Sequence, residues 1–330
     1  MELTEPGLRV KNAEKMQQSK RASGEEMRPV VSVIMPVYNG EKYIAQAVQS
    51  VYAQNIPLEL IVIDDGSVDG TREALIPWEN RLDFVYIKNE RNLGAAGSRN
   101  RGVSVAKGRY VAFLDADDRI DLNYFEQLSL ACRGADISVC DISVETRDGE
   151  QQAVFSAGNQ SFSAPDAMNL LLTRKGINSG PCGKLFRRET IADLKFPPLK
   201  AYEDILFVRD AFARAENVTS TSKTAYHYYQ NAGSAMAQQK KAPSQDIIFA
   251  TADLLEYIVQ HTELNPMCFY ITVSHLYQYV LGLDRNDLLG QQFRHEVRRL
   301  YRKHWTDIAF CKAFPWKEKI LYLLFTFGLR

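Results

Sequence analysis

Short apolar runs rich in β-branched residues mark the first half of the chain, each followed by a polar turn and then by apolar positions at helical spacing. Val30-Val31-Ser32-Val33-Ile34-Met35 stops at Pro36, Asn39-Gly40 supplies a turn, and Tyr43, Ala47, Val48 and Val51 recur on one helical face. The unit repeats with Leu58 to Ile63 and a helix from Asp69, with Phe84 to Ile87 and a helix near Ala95, and with Tyr110 to Leu114 and a helix from Asp121. A fifth run, Ile137 to Ile142, closes this half. Strands alternating with helices predict right-handed βαβ crossovers and a mainly parallel sheet flanked by helices, an α/β fold.

Beyond residue 151 the strict alternation lapses. The pattern predicts a strand near Val154, a helix over 164–173 and a Gly/Pro-punctuated loop over 178–183, after which come Lys184 to Arg188 and a loop carrying Phe196-Pro197-Pro198. A helix beginning near Glu203 and a β-rich stretch from Tyr226 to Tyr229 follow. The chain thus divides into a polar tail over 1–28, an α/β domain over 29–233 with halves at 29–145 and 146–233, a linker over 234–245, and a helical region over 246–330.

Composition narrows the class. The 330 residues carry 40 basic and 40 acidic side chains, so the whole chain offers no electrostatic footprint for nucleic acid. Five scattered cysteines never fall in CxxC spacing, which predicts reduced core residues in a cytoplasmic protein. The first 28 residues lack the apolar stretch of a secretory signal. Between Arg294 and Lys319 eight Lys/Arg face three acids, and the apolar run Ile320 to Phe327 follows. That run is too short to span a bilayer, which takes about 20 residues. It reads either as a segment lying in the interface of an anionic membrane or as a helix packed on the domain.

Candidate chemistry collects where strands end. Asp64-Asp65-Gly66-Ser67 and Asp115-Ala116-Asp117-Asp118 each close an apolar run, and in open α/β sheets ligands bind outside the carboxyl ends of the strands. Carboxylates pooled there repel one another unless a cation or a donor-rich ligand such as a nucleotide satisfies them. Asp64 or Asp65 is placed either to accept from the ring N–H of a base or to cap the helix after Gly66-Ser67. Asp115 and Asp117 alternate across an extended turn and so point to one side. Asp118 and Asp121 read as solvent-facing or capping residues. Arg91, Gly94 and Arg99 lie at a helix start where cationic donors and backbone N–H groups face phosphate. Gly94-Ala95-Ala96-Gly97 lacks GxGxxG spacing, which disfavours a dinucleotide site.

In this order the motifs VSVIMPVYNGEKYI, LIVIDDGSVDGT, NERNLGAAGSRNRGVSVAKGRYVAFLDADD, CGKLFRRE and AYEDILF, spread from Val31 to about Met236, resemble the family 2 inverting glycosyltransferases of the GT-A fold that build bacterial surface and exopolysaccharides. The resemblance implies a nucleotide-diphosphate sugar donor, UDP-linked for preference, and a glycan or lipid-linked acceptor. It implies nucleotide contacts from Pro36, Val37, Tyr38 and Asn39, from the base-binding Asp64-Asp65 pair, and from Asp115 and Ala116. Asp117 would hold Mg²⁺ or Mn²⁺ bridging the diphosphate, with His227 as a further metal or phosphate contact. Glu203-Asp204 matches the family's acidic pair, with Asp204 as base and Glu203 contacting the acceptor or orienting the base. Lys184 and Arg187 would flank the acceptor. A catalytically silent sugar-nucleotide-binding partner and a nucleotidyltransferase are the competing classes; the second ordinarily has a Gly-rich basic loop where this chain has Pro36-Val37-Tyr38-Asn39.

Overall fold

The computed structural model describes residues 28–146, 151–229, 244–284 and 287–329. The tail over 1–28 and the linker therefore fall almost wholly outside the described residues. In chain order the first half contains β1 (Val31–Val37), α1 (Ile44–Tyr52), β2 (Leu58–Asp64), α2 (Thr71–Ala74), β3 (Phe84–Lys88), α3 (Gly94–Val105), β4 (Tyr110–Phe113), β5 (Arg119–Ile120) and α4 (Tyr124–Ala131). The second half adds β6 (Ile137–Glu145), β7 (Gln151–Phe155), β8 (Gln160–Ser163), α5 (Ala164–Thr173), β9 (Lys184–Arg187), α6 (Arg188–Ile191), α7 (Glu203–Arg214) and β10 (Asn217–Tyr229). The helical region comprises α8 (Asp246–Gln260), α9 (Pro266–Leu281), α10 (Leu288–Lys303), α11 (Trp305–Phe310) and α12 (Trp316–Thr326).

The strands form one ten-stranded sheet in the order β3-β2-β1-β4-β9-β6-β10-β5, with β7 on β6 and β8 on β10. β3, β2, β1 and β4 run parallel, so their carboxyl ends share one rim. β2 is buried at every position from Leu58 to Asp64, as a strand covered on both faces must be. The expectation of a mainly parallel sheet holds, since β6 and β10 also run parallel, while β5, β7 and β8 add antiparallel pairs at the margins. The four residues of β9 insert between β4 and β6, antiparallel to both, so the sheet as a whole is mixed.

Local chemistry explains most boundaries. α5 starts where Ser163 Oγ accepts from the Asp166 N–H, has Pro165 in its first turn, and stops at Arg174 in the left-handed region. The helix expected from Asp69 is a single turn, with Pro77 and a 3₁₀ turn over Ile76–Trp78 following it. β10 begins nine residues before Tyr226, at Asn217, because Val218 to Thr221 pair along β6 and Asn217 to Ser220 along β8 despite little apolar signal, before an irregularity between Thr221 and Ala225. Cys132, Cys140, Cys182 and Cys268 are buried free thiols and Cys311 is a half-buried one. In the helical region α8 packs on α7 and α9 on α5, so both close over the second half of the α/β domain. Arg209, buried in α7, fixes the first of these contacts by pairing with Asp253 of α8 at 2.6 Å.

Candidate active site

The rim at the ends of β1, β2 and β4 forms one wall of the site, and the start of α7 forms the other. The β1–α1 loop is clipped to the loop after β2. Asn39 donates its N–H to Ser67 Oγ at 2.9 Å and accepts from the Val68 N–H at 3.0 Å, and the Gly40 N–H reaches Thr71 Oγ1 at 2.8 Å. Asn39 adopts φ 52°, a left-handed conformation that asparagine tolerates better than most residues. Pro36 and Val37 are packed into the wall, while Tyr38 is 53% exposed beside it.

Both members of the Asp64-Asp65 pair are buried and engaged within the chain. Asp64 accepts from the Ser67 N–H at 2.7 Å and the Tyr86 hydroxyl at 2.6 Å. Burial pushes its titration upward, but the Tyr86 and Ser67 hydrogen bonds outweigh that and hold the carboxyl below its ordinary value. Asp65 accepts from Asn89 Nδ2 at 2.7 Å, the Leu93 N–H at 2.8 Å and the Gly94 N–H at 2.8 Å. Neither caps α2: Asp65 satisfies the start of α3, while Asp69 accepts from the Thr71 N–H at 3.1 Å. Gly94 opens α3 at φ 76°, and Arg91 is exposed on the loop before it.

Arg99 departs from its expected phosphate-facing role. It is buried, with Nη2 3.0 Å from Asp115 Oδ1 and Nη1 3.0 Å from Glu203 Oε1, and its Cζ lies 5.5 Å from the Phe196 ring centroid. One guanidinium therefore joins the two acidic motifs, reaching 104 residues along the chain from Arg99 to Glu203. Its Nε is buried without a hydrogen-bond partner among the described residues. Asp115, Ala116 and Asp117 are half-buried and open toward the rim. Asp118 is no solvent-facing cap: it is 2% exposed and accepts from the Tyr226 hydroxyl at 2.6 Å and the Tyr229 N–H at 2.9 Å. Burial, then the charges of Asp115 and Asp117, push its titration well above the carboxylate range.

Opposite, Glu203 is buried and Asp204 half-buried at the first turn of α7, directly after Tyr202 in the left-handed region at φ 63°. Burial and the neighbouring Asp204 raise Glu203, with Arg99 opposing them. Burial raises Asp204 too, again against Arg99. Asp204 Oδ1 accepts from the Ile205 N–H at 2.7 Å, and a Cβ placed on Gly180 would lie 3.5 Å from Oδ2. The 178–183 loop thus runs against the carboxylate.

Three expected site residues are placed elsewhere. Lys184 is fully buried, its Nζ donating to Asn178 O at 2.9 Å, Asn178 Oδ1 at 2.5 Å and Gly180 O at 2.6 Å. It shapes the loop beneath Asp204, and burial pulls its titration down to about 7. Arg187 pairs with Tyr110 across β4 and β9, at the opposite end of β4 from Asp115, and bonds Asp136 and the Ala135 carbonyl. His227 lies between Asp121 Oδ1 at 2.9 Å and Glu145 Oε1 at 2.7 Å. Those carboxylates, Asp121 first, raise its titration against burial, and an imidazolium donating from both nitrogens has no lone pair for a metal. Asp121 is therefore a partner of this histidine, not a free cap. Sequence reasoning missed Tyr86 and Tyr226, since neither hydroxyl contact follows from strand periodicity.

A rim of carboxylates at a parallel sheet, facing a second acidic pair at a helix start, defines a nucleotide-sugar transferase of the GT-A type. The model of the family described as "Glycosyl transferase family 2" matches residues 32–194. The chain is 35% identical over 184 residues to the putative teichuronic acid biosynthesis glycosyltransferase TuaG of Bacillus subtilis, covering 54% of this chain and 70% of that protein. It is 31% identical over 206 residues to the poly(ribitol-phosphate) beta-N-acetylglucosaminyltransferase TarS of Staphylococcus aureus, covering 60% of this chain and 35% of that one. The solved structure of S. aureus TarS 1-349 with UDP-GlcNAc superposes with a TM-score of 0.56 at 22% identity, covering 90% of this chain and 79% of that chain. The chain belongs to glycosyltransferase family 2.

The geometry predicts how stability depends on pH. An acid whose titration is raised by folding binds more protons folded than unfolded, so stability falls as pH rises above the ordinary carboxylate value of about 4. Without divalent cations, Asp118 is expected to pull melting temperature down as pH rises toward neutrality, against the opposite pull of Asp64 and Asp121, whose titrations are lowered. Asp118→Asn, which cannot ionise, should remove that downward pull in a pH series of thermal melts. An equal slope in parent and variant would move the raised proton to another carboxyl.

Proposed function

We propose that this protein is a metal-dependent inverting glycosyltransferase that takes its sugar from a nucleotide-diphosphate donor, UDP-linked for preference, and extends a glycan or lipid-linked acceptor. The observation that carries this reading is the Arg99 bridge, which sets the Asp115-Ala116-Asp117 turn and the Glu203-Asp204 pair on two sides of one cleft. Inversion needs a single in-line displacement, with the acceptor hydroxyl deprotonated on the face away from the leaving diphosphate. Asp204 is the base: it is half-buried, burial raises its titration and so strengthens it as a proton acceptor, and the charge of Arg99 opposes that rise. Glu203, tied to Arg99, orients it. The clipped Pro36–Asn39 loop, Asp64 and Asp65 form the nucleotide wall.

The donor set fits a hard divalent cation. Among the described residues no three metal-ligating groups are gathered into a cage, yet Asp115 and Asp117 both lie half-buried on the turn that follows β4. Mg²⁺ and Mn²⁺ suit such sites, taking one or two carboxylates and completing their shell with phosphate oxygens and water. Asp117, with Asp115 behind it, would hold the ion, which when bound offsets the charge of the diphosphate leaving group.

A second surface supports work at the cytoplasmic face of a membrane. No helix among the described residues is long and apolar enough to cross one. On α12, Trp316, Ile320 and Leu324 recur at i, i+4 and i+8 with Phe327 one turn on, and all four are exposed. Tyr322 and Phe325 on the other face are buried, and the Trp305 ring lies 6.4 Å from Phe327. Lys317 stands over Trp316, while Arg298 and Arg302 donate to the Phe325 and Thr326 carbonyls at the far end. Glu318 is turned inward to Tyr270 and Tyr322. An apolar stripe flanked by cations suits an interfacial helix on anionic lipid.

Three outcomes are expected. Asp204→Asn should leave UDP affinity within about twofold and lower transfer by roughly 10²–10⁴-fold, the worth of a positioned base; transfer at the parent rate would remove Asp204 from that role. Excess EDTA should abolish turnover and Mn²⁺ restore it, with Asp117→Asn needing far more metal; full activity in chelator overturns the metal assignment. In vesicle flotation, Ile320→Glu with Leu324→Glu should release the protein from anionic vesicles and leave donor hydrolysis unchanged. Equal flotation of parent and variant would sink the docking face.

A further inference from the structure

Strand β5 is only two residues long, yet it follows directly on the Asp115–Asp118 turn and lies at one end of the sheet. Its hold on the sheet comes from β10. Arg119 and Ile120 pair antiparallel with His227 and Tyr226, and Asp121 beyond them accepts from the Ala225 N–H at 2.8 Å. β10 shifts register between Thr221 and Ala225, and an irregularity of this kind re-aims the side chains beside it. Tyr226 stands next along the strand.

The Tyr226 ring is 1% exposed and its centroid lies 6.5 Å from that of Tyr124, so packing fixes where the hydroxyl points. It points at the turn. The hydroxyl oxygen accepts from the Asp115 N–H at 3.2 Å and donates to Asp118 Oδ2 at 2.6 Å. The turn is also closed on itself by the Asp118 N–H, 3.1 Å from the Asp115 carbonyl, and Asp118 Oδ1 takes the Tyr229 N–H at 2.9 Å. One buried hydroxyl thus ties the first and last residues of the four-residue turn, with Asp117 third between them. Three carboxylates in four residues repel one another, and a tie of this kind keeps the turn from opening to separate them. A phenylalanine would fill the same space without the tie.

We infer that Tyr226 is a positioning residue for the divalent cation: its hydroxyl ties Asp115 to Asp118 and so holds the Asp115-Ala116-Asp117 turn in the shape that takes the ion. The inference rests on the metal-dependent reading and deepens it. Groups behind a metal ligand act by fixing its orientation. Tyr226 brings no charge of its own, so its effect on a cation runs through the shape of the turn and not through added field. Arg99 holds the Asp115 carboxylate from one side, and Tyr226 holds the Asp115 backbone from the other.

The test uses the full chain with UDP present and Mn²⁺ as the probe, read as loss of the free-ion signal in electron paramagnetic resonance. Tyr226→Phe should weaken Mn²⁺ binding by roughly 10–100-fold, the usual worth of a group that orients metal ligands. Tyr124→Phe is the matched control: its ring is equally buried and its hydroxyl has no hydrogen-bond partner among the described residues, so Mn²⁺ affinity should stay at the parent value. Amide exchange across 113–121, followed without metal, should rise in Tyr226→Phe and not in Tyr124→Phe. Equal Mn²⁺ affinity in the parent and Tyr226→Phe overturns the positioning role and leaves the metal reading standing. Equal weakening in both variants assigns the effect to packing and overturns that role as well. A parent that binds no Mn²⁺ in the presence of UDP overturns the metal reading itself, and unchanged exchange in Tyr226→Phe overturns the tie whether or not the ion binds.

Discussion

The arrangement depends on one buried guanidinium. Asp115, Glu203 and Asp204 come from segments that share no hydrogen bond with one another among those described here, and Arg99 is the group that Asp115 and Glu203 both touch. Without it, acids pooled at a half-buried cleft would repel, and breaking a buried pair leaves uncompensated charge at a cost of about 3–5 kcal/mol. Arg99 reaches them because α3 starts at the Asp65 cap and runs beneath the rim, placing its sixth residue at the junction of the two walls. A bond made for local reasons, a carboxylate satisfying the first N–H groups of a helix, thereby sets the position of an ion pair that organises the chemistry.

Much of this was legible in the chain. The βα alternation fixes the parallel half because a buried strand has to be apolar along its length, as β2 is, and the acidic motifs stand out because they end such strands. The limits of α5 emerge to the residue, since Ser163 and Pro165 are local start signals and need no tertiary information. What stayed hidden depends on distant partners. Arg99 at a helix start reads as a phosphate-facing donor, and only the fold shows two carboxylates closing on it. Asp118 reads as a cap because its partners, Tyr226 and Tyr229, lie more than 100 residues away. β9 is too short for its direction to be inferred from its own pattern, and direction is what places Arg187 at the far end of the sheet. His227 failed as a ligand for a related reason: a lone histidine on a strand does not disclose that two carboxylates flank it.

The bonds fall into two sets, which Arg99 joins at the cleft and which Asp118 with Tyr226 and Tyr229, and His227 with Asp121 and Glu145, join beside it. Asn39 to Ser67, Gly40 to Thr71, Asp64 to Tyr86 and Asp65 to Leu93 all close within residues 29–145. Lys184, Asn178, Gly180 and Asp204 form a second group, covered by the helical region. Arg99 crosses the divide. For lineages that diversify, this is a separation of concerns: substitutions in α5, α8 or α9 alter the second half without disturbing the hydrogen bonds of the proposed nucleotide wall. A chain built this way is free to change what it modifies while keeping the currency it spends, and the helices over the second half are where descendants with new acceptors should differ most.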